Sequence, residues 1–374
     1  MTPTILLSAG EASGDLHGAS LARALLRRWP DARLYGLGGP LMQQAGVELL
    51  AHTDELAVMG FAEVFRHLPY FIRLMRRVRN SLDTRQPDLV IPIDYPGFNL
   101  RLTRAARARG VPVLYYIAPQ VWAWHRSRIH QLARLADRLA VILPFEEELF
   151  RSAGAAVQFV GHPLLDLAPA RTTRAQFVER LGLDARRPLL ALFPGSRAQE
   201  VNRHLELFER AARVLAATRP EVQPAIAAGG SVPATAYRDA SFPLVADPWE
   251  LLHHADAALV KSGTSTLQAA LTGTPLVVAY RMHPLSFALA RRLVRVPHIA
   301  LANLVAGERI ADELIQTAAT PEALAAALLP LLPGGSGRAR ALEGLGKVRA
   351  ALAAGTVGAP VAERVAALAA ELVA

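Results

Sequence analysis

Residues 189–201 constrain the fold more than any other part of this chain. The segment opens with the apolar run Leu-Leu-Ala-Leu-Phe, which predicts a strand buried on both faces. Pro194 and Gly195 end that run, and Ser196 and Glu200 follow at positions typical of the capping residues of a helix. A buried strand, a tight turn and a helix in this order predict one βα unit of a parallel sheet.

The same unit has the features of an anion site. The N-terminus of a helix presents backbone N–H groups that have no partner within the helix, and these groups attract anions. Arg197 lies in the turn, and a guanidinium can grip a phosphate through two parallel hydrogen bonds. A second turn of small hydroxylated residues, Ser262-Gly263-Thr264, follows the apolar run 257–260. We therefore expect two phosphate-binding turns in the second half of the chain.

Comparable strand-and-helix patterns recur on both sides of this segment. The strands that we predict outside it cover residues 4–8, 33–37, 88–93, 111–117, 138–143, 157–160, 223–228, 243–245, 257–260 and 275–280. A chain of 374 residues is too long for one hydrophobic core, so two domains are expected. We predict an α/β fold of two Rossmann-like, doubly wound parallel sheets that face a central cleft, with domains at 1–165 and 166–374. The last helix is expected to be able to pack back on the first domain.

Composition excludes several classes of protein. The sequence has no cysteine, which excludes disulfides, thiolate catalysis and cysteine-based metal sites. No apolar run approaches the roughly 20 residues of a membrane span, and no basic region precedes the first apolar run, so we expect a cytoplasmic protein. The net charge of +9 comes almost wholly from arginine, since lysine occurs only at Lys261 and Lys347. These arginines are dispersed, which favours an anionic membrane surface or substrate over nucleic acid, although a compositional bias toward arginine explains the excess equally well.

Two carboxylates of the first half are candidates for chemistry. Glu11 lies in the loop after the first strand, and Asp94 directly follows the strand 88–93. Ligands of open parallel sheets bind beyond the carboxyl ends of the strands, and a carboxylate there is a candidate general base. Asp15 and Asp94 have a structural alternative, which is to cap the adjacent helices. The sequence contains no Walker lysine, no nucleophile elbow and no Asp, Glu and His residues at metal-ligand spacing, so we expect neither a metal nor a cofactor.

A sugar transfer from a nucleotide donor fits these residues. Asp94 would deprotonate the hydroxyl of the acceptor, and Arg197 with the turn N–H groups would stabilise the departing diphosphate. Trp122 and Trp124, in a segment that we predict to be extended, either wall a sugar pocket or pack at a domain edge. His162 is expected to be structural.

Residues 58–78 combine an apolar aromatic face with an arginine-rich face. Pro69 is expected to divide the segment into two helical pieces. This pattern is typical of a helix that lies on a membrane surface, whereas an ordinary helix with arginines on its wet side is the alternative. The candidate membrane or acyl-chain patch consists of Phe61, Val64, Phe65, Leu68, Phe71, Leu74 and Met75.

Motifs along nearly the whole chain resemble those of the lipid-A-disaccharide synthase family. The segments that carry the resemblance are 9–15, 57–60, 93–99, 121–124, 143–146, 159–162, 194–197 with Glu200-Val201, 262–264, 280–282 and 303–307. The family resembles inverting glycosyltransferases of the GT-B type. The resemblance implies transfer from UDP-2,3-diacylglucosamine to 2,3-diacylglucosamine 1-phosphate (lipid X), with release of UDP, by a peripheral enzyme on the inner face of the cytoplasmic membrane. It implies no cofactor, metal or nucleic-acid partner.

The resemblance also implies roles for individual residues. Asp94 matches the proposed base, Arg197 an arginine of the donor diphosphate, and Asn303 an asparagine needed for activity. Glu11 matches a carboxylate on the acceptor side, and 61–75 matches a hydrophobic surface patch. The implied donor-binding residues are Gly195, Ser196, Arg197, Ser262, Gly263, Thr264, Gln268 and Arg281.

Two positions depart from the family pattern. Gln268 stands where the family usually has a glutamate that would accept hydrogen bonds from ribose hydroxyls, so donor affinity is expected to be weaker. Gly97 stands where a second acidic residue is common, which leaves Asp94 as the base of that loop. Another UDP-sugar enzyme of the same fold, either a 2-epimerase or a transferase to undecaprenyl lipid, is the alternative function.

Overall fold

The computed structural model describes residues 2–53, 61–124, 127–167, 170–229, 232–293, 296–354 and 358–373. The chain folds into two compact units. The first consists of Met1–Asp166 with Ala353–Ala374, and the second of Leu167–Leu352.

The first unit is built on a parallel sheet with the strand order β3-β2-β1-β4-β5-β6-β7. Its central strands are apolar and buried on both faces, as expected where helices cover both sides of a sheet. The strands are β1 (Thr4–Ala9), β2 (Arg33–Gly38), β3 (Glu48–His52), β4 (Leu89–Ile93), β5 (Leu114–Tyr116), β6 (Arg138–Val141) and β7 (Val157–Phe159).

Helices connect these strands, and the C-terminal helix of the chain also belongs to this unit. The helices of the first unit are α1 (Ala12–Arg28), α2 (Pro40–Gln44), α3 (Phe61–Arg85), α4 (Pro96–Arg107), α5 (Val121–Trp124), α6 (Ser127–Leu135), α7 (Pro144–Arg151) and α16 (Val361–Val373). Helix α16 packs on α1 and contributes Val365 and Leu368 to a core that also includes Leu21 and Ile91.

The second unit repeats this architecture on a parallel sheet with the order β10-β9-β8-β11-β12-β13. Its strands are β8 (Leu189–Phe193), β9 (Gln223–Ala227), β10 (Leu244–Val245), β11 (Ala257–Lys261), β12 (Leu276–Tyr280) and β13 (Asp312–Ile315). Its helices are α8 (Arg174–Arg180), α9 (Ala198–Thr218), α10 (Pro248–His254), α11 (Ser265–Thr272), α12 (Pro284–Leu293), α13 (Leu301–Ala306), α14 (Pro321–Leu328) and α15 (Arg338–Ala353). The two parallel sheets with alternating helices confirm the predicted α/β, Rossmann-like fold class.

Each sheet reverses its direction of growth once. In the first sheet the reversal lies between β1 and β4, and in the second it lies between β8 and β11. The two strands at such a point send their connections to opposite sides, which leaves a crevice beyond their carboxyl ends where ligands bind. The loops that follow β1, β4, β8 and β11 are therefore the first places to look for a site.

Two local predictions are wrong. Pro69 does not divide α3, which runs through it as one helix. The segment 121–124 is helical rather than extended. A proline inside a helix removes one backbone hydrogen bond and crowds the carbonyl four residues earlier, at a cost of about 3 kcal/mol, which the other interactions of this 25-residue helix can offset.

Candidate active site

The reversal point of the first sheet carries the two predicted carboxylates. Strands β1 and β4 pair in parallel with Ala9 opposite Ile93, so the residues that follow each strand lie side by side. Glu11 is exposed and is the N-cap residue of α1, while Asp94 follows β4 directly and is partly buried. The structure thus brings these two predicted residues together.

The backbone at Asp94 has an unusual conformation that other residues hold in place. Asp94 and Tyr95 both have positive φ angles, of 46° and 49°. The buried amide of Asn99 donates to the carbonyl oxygens of Ser8, Ile93 and Asp94 at 3.0, 3.1 and 2.8 Å. The hydroxyl of Tyr115 also donates to the carbonyl oxygen of Asp94, at 2.8 Å. Left-handed backbone at non-glycine residues persists only where surrounding contacts fix it, and it concentrates at functional sites.

The electrostatic surroundings of Asp94 suit a general base. Burial, with the negative charge of Glu11 nearby, raises the pKa of Asp94 to about 6, although a hydrogen bond from the Tyr95 N–H acts in the opposite direction. A carboxyl with this pKa is ionised at pH 7 and is a stronger base than an ordinary aspartate. The alternative role of a helix cap does not hold, because Tyr95 is the N-cap residue of α4.

Two other polar residues of the first unit have structural roles. The buried carboxylate of Asp15 accepts hydrogen bonds from the N–H groups of Gly39, Leu41 and Met42 at 2.7–3.0 Å, so it caps α2. His162 is buried, and its Nδ1 accepts a hydrogen bond from the Leu164 N–H at 3.2 Å. The expectation that His162 is structural agrees with this contact.

Trp122 packs inside the first unit and does not wall a sugar pocket. It is 6% exposed, and its ring meets that of Phe145 edge to face at 4.9 Å. Its indole N–H donates to the carboxyl of Glu146 at 2.9 Å. Burial raises the pKa of Glu146 to about 8, so this group is largely protonated at neutral pH. The side chain of Trp124 lies outside the described part of the chain.

The reversal point of the second sheet carries the turn that follows β8. Gly195 has a φ of 149°, and a Cβ atom there would lie 2.3 Å from the Cβ of Glu200, so only glycine fits this position. Ser196 is not the N-cap residue as predicted, because Arg197 occupies that position in α9. Glu200 reaches back instead and accepts a hydrogen bond from the Ser196 N–H at 3.0 Å. Arg197 remains 46% exposed, with its guanidinium 3.7 Å from Glu200.

Lys261, the last residue of β11, connects that strand to the turn after β8 through a side-chain contact with Glu200. Its Nζ donates to the Glu200 carboxylate at 2.7 Å and lies 5.5 Å from the centre of the Tyr280 ring. Burial raises the pKa of the Glu200 carboxyl, but the hydrogen bond and charge of Lys261 outweigh that effect and leave this pKa below its ordinary value. Glu200 is therefore ionised at neutral pH, and its Oε1 lies near both cations, Lys261 and Arg197.

The second predicted anion turn lies beside the first, because Val260 of β11 pairs with Phe193 of β8. Ser262 contributes little to it, since its N–H donates to Ala279 and its hydroxyl to the Ile299 carbonyl. Gly263 and Thr264 come next, at the N-terminus of α11. The amides of 263–265 precede the first hydrogen bonds of that helix, which is where helix N-termini bind anions. Gln268 lies half-buried on the first turn of α11.

Arg281 serves the fold of the second unit. Its guanidinium donates to the carbonyl oxygens of Gln316 and Ala319 at 3.3 and 2.6 Å. Its backbone N–H donates to Nε2 of His204, whose Nδ1 contacts the Glu200 carbonyl at 2.8 Å. Arg281 therefore ties the end of β12 to neighbouring elements, and in the described part of the chain the contacts of its guanidinium are with Gln316 and Ala319 rather than with the two anion turns.

Asn303 is fully buried, and its amide is occupied by structural contacts. Its Oδ1 accepts hydrogen bonds from the N–H groups of Ile310 and Ala311, both at 3.0 Å. Its Nδ2 donates to the Ala311 carbonyl at 2.9 Å and to the Glu313 carboxylate at 2.8 Å. An asparagine side chain bonded in this way closes the loop between α13 and β13. An effect of Asn303 on activity would act through this loop.

Substituting Asn303 with alanine is expected to destabilise the second unit by about 3 kcal/mol, because several buried polar partners would lose their hydrogen bonds. The thermal unfolding midpoint should fall by about 6–12 °C, measured by circular dichroism. The control is Asn202→Ala, the same change at an exposed position of α9, which should leave the midpoint within about 2 °C. An unchanged midpoint in the Asn303 variant would contradict the structural role.

The predicted membrane patch is only partly accessible. Leu74 and Met75 are 4% and 9% exposed, so these two side chains belong to the interior rather than to a surface patch. Phe71 is half-buried, and its neighbour Ile72 is 45% exposed. The side chains of the remaining patch residues lie outside the described part of the chain: Phe61, Val64, Phe65 and Leu68.

Sequence reasoning missed the residues that organise the site. Lys261 is one of two lysines in an arginine-rich chain and directly ends a buried strand, which was a usable signal. The sequence predicts Glu200 as a helix-start residue and motif member, and Asn99 as part of a motif, without their partners. Two of their partners, Ser8 for Asn99 and Lys261 for Glu200, lie 91 and 61 positions away, so no local pattern could identify these contacts. Among the described residues, no group of three or more His, Asp or Glu side chains is arranged as a metal site.

Comparisons with known proteins agree with this architecture. A family model described as lipid-A-disaccharide synthetase matches residues 5–356. The lipid-A-disaccharide synthase of Syntrophus aciditrophicus (strain SB) is 46% identical over 349 residues, which cover 91% of this chain and 90% of that protein. The solved structure of the glycotransferase of kitacinnamycin superimposes with a TM-score of 0.67 at 18% identity and covers 99% of each chain.

The fold alone does not separate transferases from epimerases. A putative UDP-N-acetylglucosamine 2-epimerase from Listeria monocytogenes superimposes with a TM-score of 0.63 at 12% identity, covering 92% of this chain and 91% of that one. The family match makes the distinction, and it does not favour the epimerase alternative. This protein is a glycosyltransferase with two Rossmann-like sheets, and it belongs to the lipid-A-disaccharide synthase family.

Proposed function

We propose that this protein transfers the sugar of UDP-2,3-diacylglucosamine to 2,3-diacylglucosamine 1-phosphate and releases UDP. Family membership supports the reaction class. The observation that carries the proposal is the division of chemistry between the two reversal points: a carboxylate pair at the first, and cationic, amide-bearing turns at the second. The first suits an acceptor hydroxyl, and the second suits the diphosphate of a donor.

In this proposal Asp94 is the general base. Its carboxylate takes the proton of the acceptor hydroxyl as that oxygen attacks the anomeric carbon of the donor. The bond from the anomeric carbon to the phosphate oxygen breaks at the same time, and its electron pair leaves with UDP. Displacement from the opposite side inverts the configuration of the anomeric carbon. The hydrogen bonds of Asn99 and Tyr115 to the carbonyl oxygen of Asp94 hold the backbone that carries the base in place.

The donor diphosphate binds at the two turns of the second sheet. The backbone N–H groups of 263–265 and the dipole of α11 favour an anion at that helix start. The exposed guanidinium of Arg197 is available to move onto a phosphate oxygen as charge develops on the leaving group. Gln268 is on the first turn of this helix, where its side chain can bond to a ribose hydroxyl. Its amide offers one acceptor oxygen to that hydroxyl and carries no charge.

The direct test uses the purified protein with the diacylated donor and acceptor. We expect release of UDP that depends on both substrates, and a disaccharide 1-phosphate product identified by mass spectrometry. A donor without acyl chains, UDP-N-acetylglucosamine, is the control and should react poorly or not at all. Epimerisation of that control donor in the absence of any acceptor would contradict the proposal.

We propose further that the surface of α3 around Ile72 contacts an anionic membrane, with the protein located at the inner face of the cytoplasmic membrane. Ile72 is 45% exposed, and Arg73, Arg76 and Arg79 are exposed on the same helix. Arginines near an anionic surface contribute about 1 kcal/mol each, and an apolar side chain adds to that attraction. None of the described helices is long and apolar enough to span a bilayer.

Vesicle flotation tests this contact. The variant Ile72→Ser/Arg76→Glu/Arg79→Glu is expected to lower partitioning onto phosphatidylglycerol vesicles by about 100-fold, because apolar contact and positive charge are lost together. A matched control makes the same kinds of change in the second unit: Leu244→Ser/Arg210→Glu/Arg238→Glu, all at exposed positions. Equal loss of binding in both variants would show that net charge, rather than the α3 surface, is responsible.

A further inference from the structure

Lys261 lies where the two anion turns of the second unit meet. It is the last residue of β11, and it directly precedes the turn Ser262-Gly263-Thr264. Its strand neighbour is β8, whose end leads into the turn that carries Arg197. A charged side chain at the carboxyl ends of two central strands occupies the position where open parallel sheets bind their ligands.

The ammonium of Lys261 is held in a defined position. Its side chain is only 15% exposed, and Nζ lies 2.7 Å from the Glu200 carboxylate. The face of the Tyr280 ring lies below it, with 5.5 Å from Nζ to the ring centre. Nζ is also 4.0 Å from the point where a Cβ of Gly263 would be. Because residue 263 has no side chain, the ammonium lies directly beside the backbone of the anion turn.

The charges around Glu200 do not cancel. The carboxylate faces two cations, Lys261 at 2.7 Å and Arg197 at 3.7 Å, and also accepts the Ser196 N–H. One negative charge among two positive charges leaves a surplus of one. An ammonium has three N–H donors, and Glu200 takes one of those of Lys261. The cluster can therefore compensate a further anion while Glu200 stays in place.

We propose that Lys261 is a further donor-binding residue whose ammonium compensates the charge of a nucleoside diphosphate bound at the amides of 263–265, with Glu200 holding the ammonium in position. The inference rests on the proposed function, because it assigns a contact within that donor site. It also distinguishes two kinds of ligand: a diphosphate should meet this charge, whereas the nucleoside part alone should not.

Calorimetric titrations with UDP and with uridine test the proposal. Lys261→Met should weaken UDP binding by about 10- to 100-fold, the effect of losing one charged contact, and should leave uridine binding within about twofold. Lys261→Arg should recover most of the UDP affinity because it keeps the charge. The control is Lys347→Met, which removes the other lysine of the chain, an exposed one paired with Glu308. A folded Lys261→Met variant with unchanged UDP affinity would overturn the inference.

A measurement on the unsubstituted protein covers the case in which Lys261→Met does not fold. A chain with two lysines, labelled with ¹³C-lysine, gives two sets of side-chain Cε–H signals, which Lys347→Met assigns. We expect UDP to shift the Lys261 signals and uridine to leave them nearly unchanged. Lys261 signals unmoved by saturating UDP would overturn the inference. Failure of the unsubstituted protein to bind UDP at all would instead refute the proposed function.

Discussion

Replacing Asp94 with asparagine is expected to lower the kcat of glycosyl transfer by about 10²- to 10⁴-fold, the usual contribution of a positioned general base. The substitution keeps the size of the side chain and its place at the end of β4, but an amide cannot take a proton from the acceptor. UDP affinity should be unchanged, because the proposed diphosphate contacts belong to other residues. Rates come from a UDP-release assay at saturating substrates, and affinity from calorimetry.

The matched control for this variant is Asp83→Asn. Asp83 is an exposed aspartate of α3 that pairs with Arg109, so its loss should leave kcat unchanged. The folded state of the Asp94 variant can be checked by its unfolding midpoint. Since burial raises the pKa of Asp94 above that of an unfolded aspartate, the folded wild type loses stability as pH rises from about 4 to about 6. The variant lacks this loss and should be at least as stable as wild type at pH 8.

The same carboxyl determines how the reaction depends on pH. With a pKa of about 6, Asp94 is protonated and inactive as a base at pH 5. The kcat/KM of the wild type should therefore fall about tenfold for each pH unit below about 6 and level off above it. Substituting Glu11 with glutamine removes a nearby negative charge, so the midpoint of this fall should move to lower pH. A midpoint that does not move would mean that another group controls the profile.

Replacing Arg197 with alanine is expected to lower kcat/KM by about 10²- to 10³-fold, which is typical for loss of one donor to a developing anion. The guanidinium is half-exposed at the start of α9 and lies 3.7 Å from Glu200, which leaves it able to reach a bound phosphate. UDP binding should weaken as well. Arg197→Lys should recover only part of the activity, since an ammonium keeps the charge but loses the paired hydrogen bonds.

The control for Arg197 is on the same helix. Arg210→Ala removes an exposed arginine of α9 that lies 4.0 Å from Glu206, and it should leave activity and UDP affinity unchanged. If both variants lose activity equally, the effect comes from the overall charge of the helix. Full activity in Arg197→Ala would show that Arg197 has no role in the mechanism. The proposed diphosphate site would then consist of the amides of 263–265 and Lys261.

The sequence was sufficient to predict the central strands of both sheets because these strands are continuous apolar runs, whereas the edge strands β3 and β13 contain charged residues and are not predicted. Runs such as 89–93 and 189–193 are buried on both faces, and this environment favours the same residues in any parallel sheet. Asp94 and Arg197 could be proposed for a related reason, since Asp94 directly follows such a run and Arg197 lies in the turn after one. Their places beyond the strand ends follow from local order along the chain and need no knowledge of distant contacts.

Side-chain partners could not be predicted in the same way. Asn303 and Arg281 belong to motifs to which the resemblance assigns activity or donor binding. In the structure, however, both side chains form hydrogen bonds with backbone groups of neighbouring loops. Leu74 and Met75 belong to the same apolar stretch of helix as exposed residues. The helical spacing of apolar residues shows that an apolar stripe exists, but it does not show which part of the stripe the rest of the protein buries. The partnership of Lys261 with Glu200 joins residues 61 positions apart, which no local pattern contains.

The proposed mechanism places the acceptor chemistry at the reversal of the first sheet and the donor diphosphate at the turns of the second sheet. A crystal structure of the protein with bound UDP is the decisive experiment for this division. We expect the β-phosphate to lie within hydrogen-bond distance of the amides of 263–265 and of the Arg197 guanidinium, with Lys261 beside it. A diphosphate bound anywhere else, with those amides and Arg197 making no contact with it, would refute the proposed mechanism.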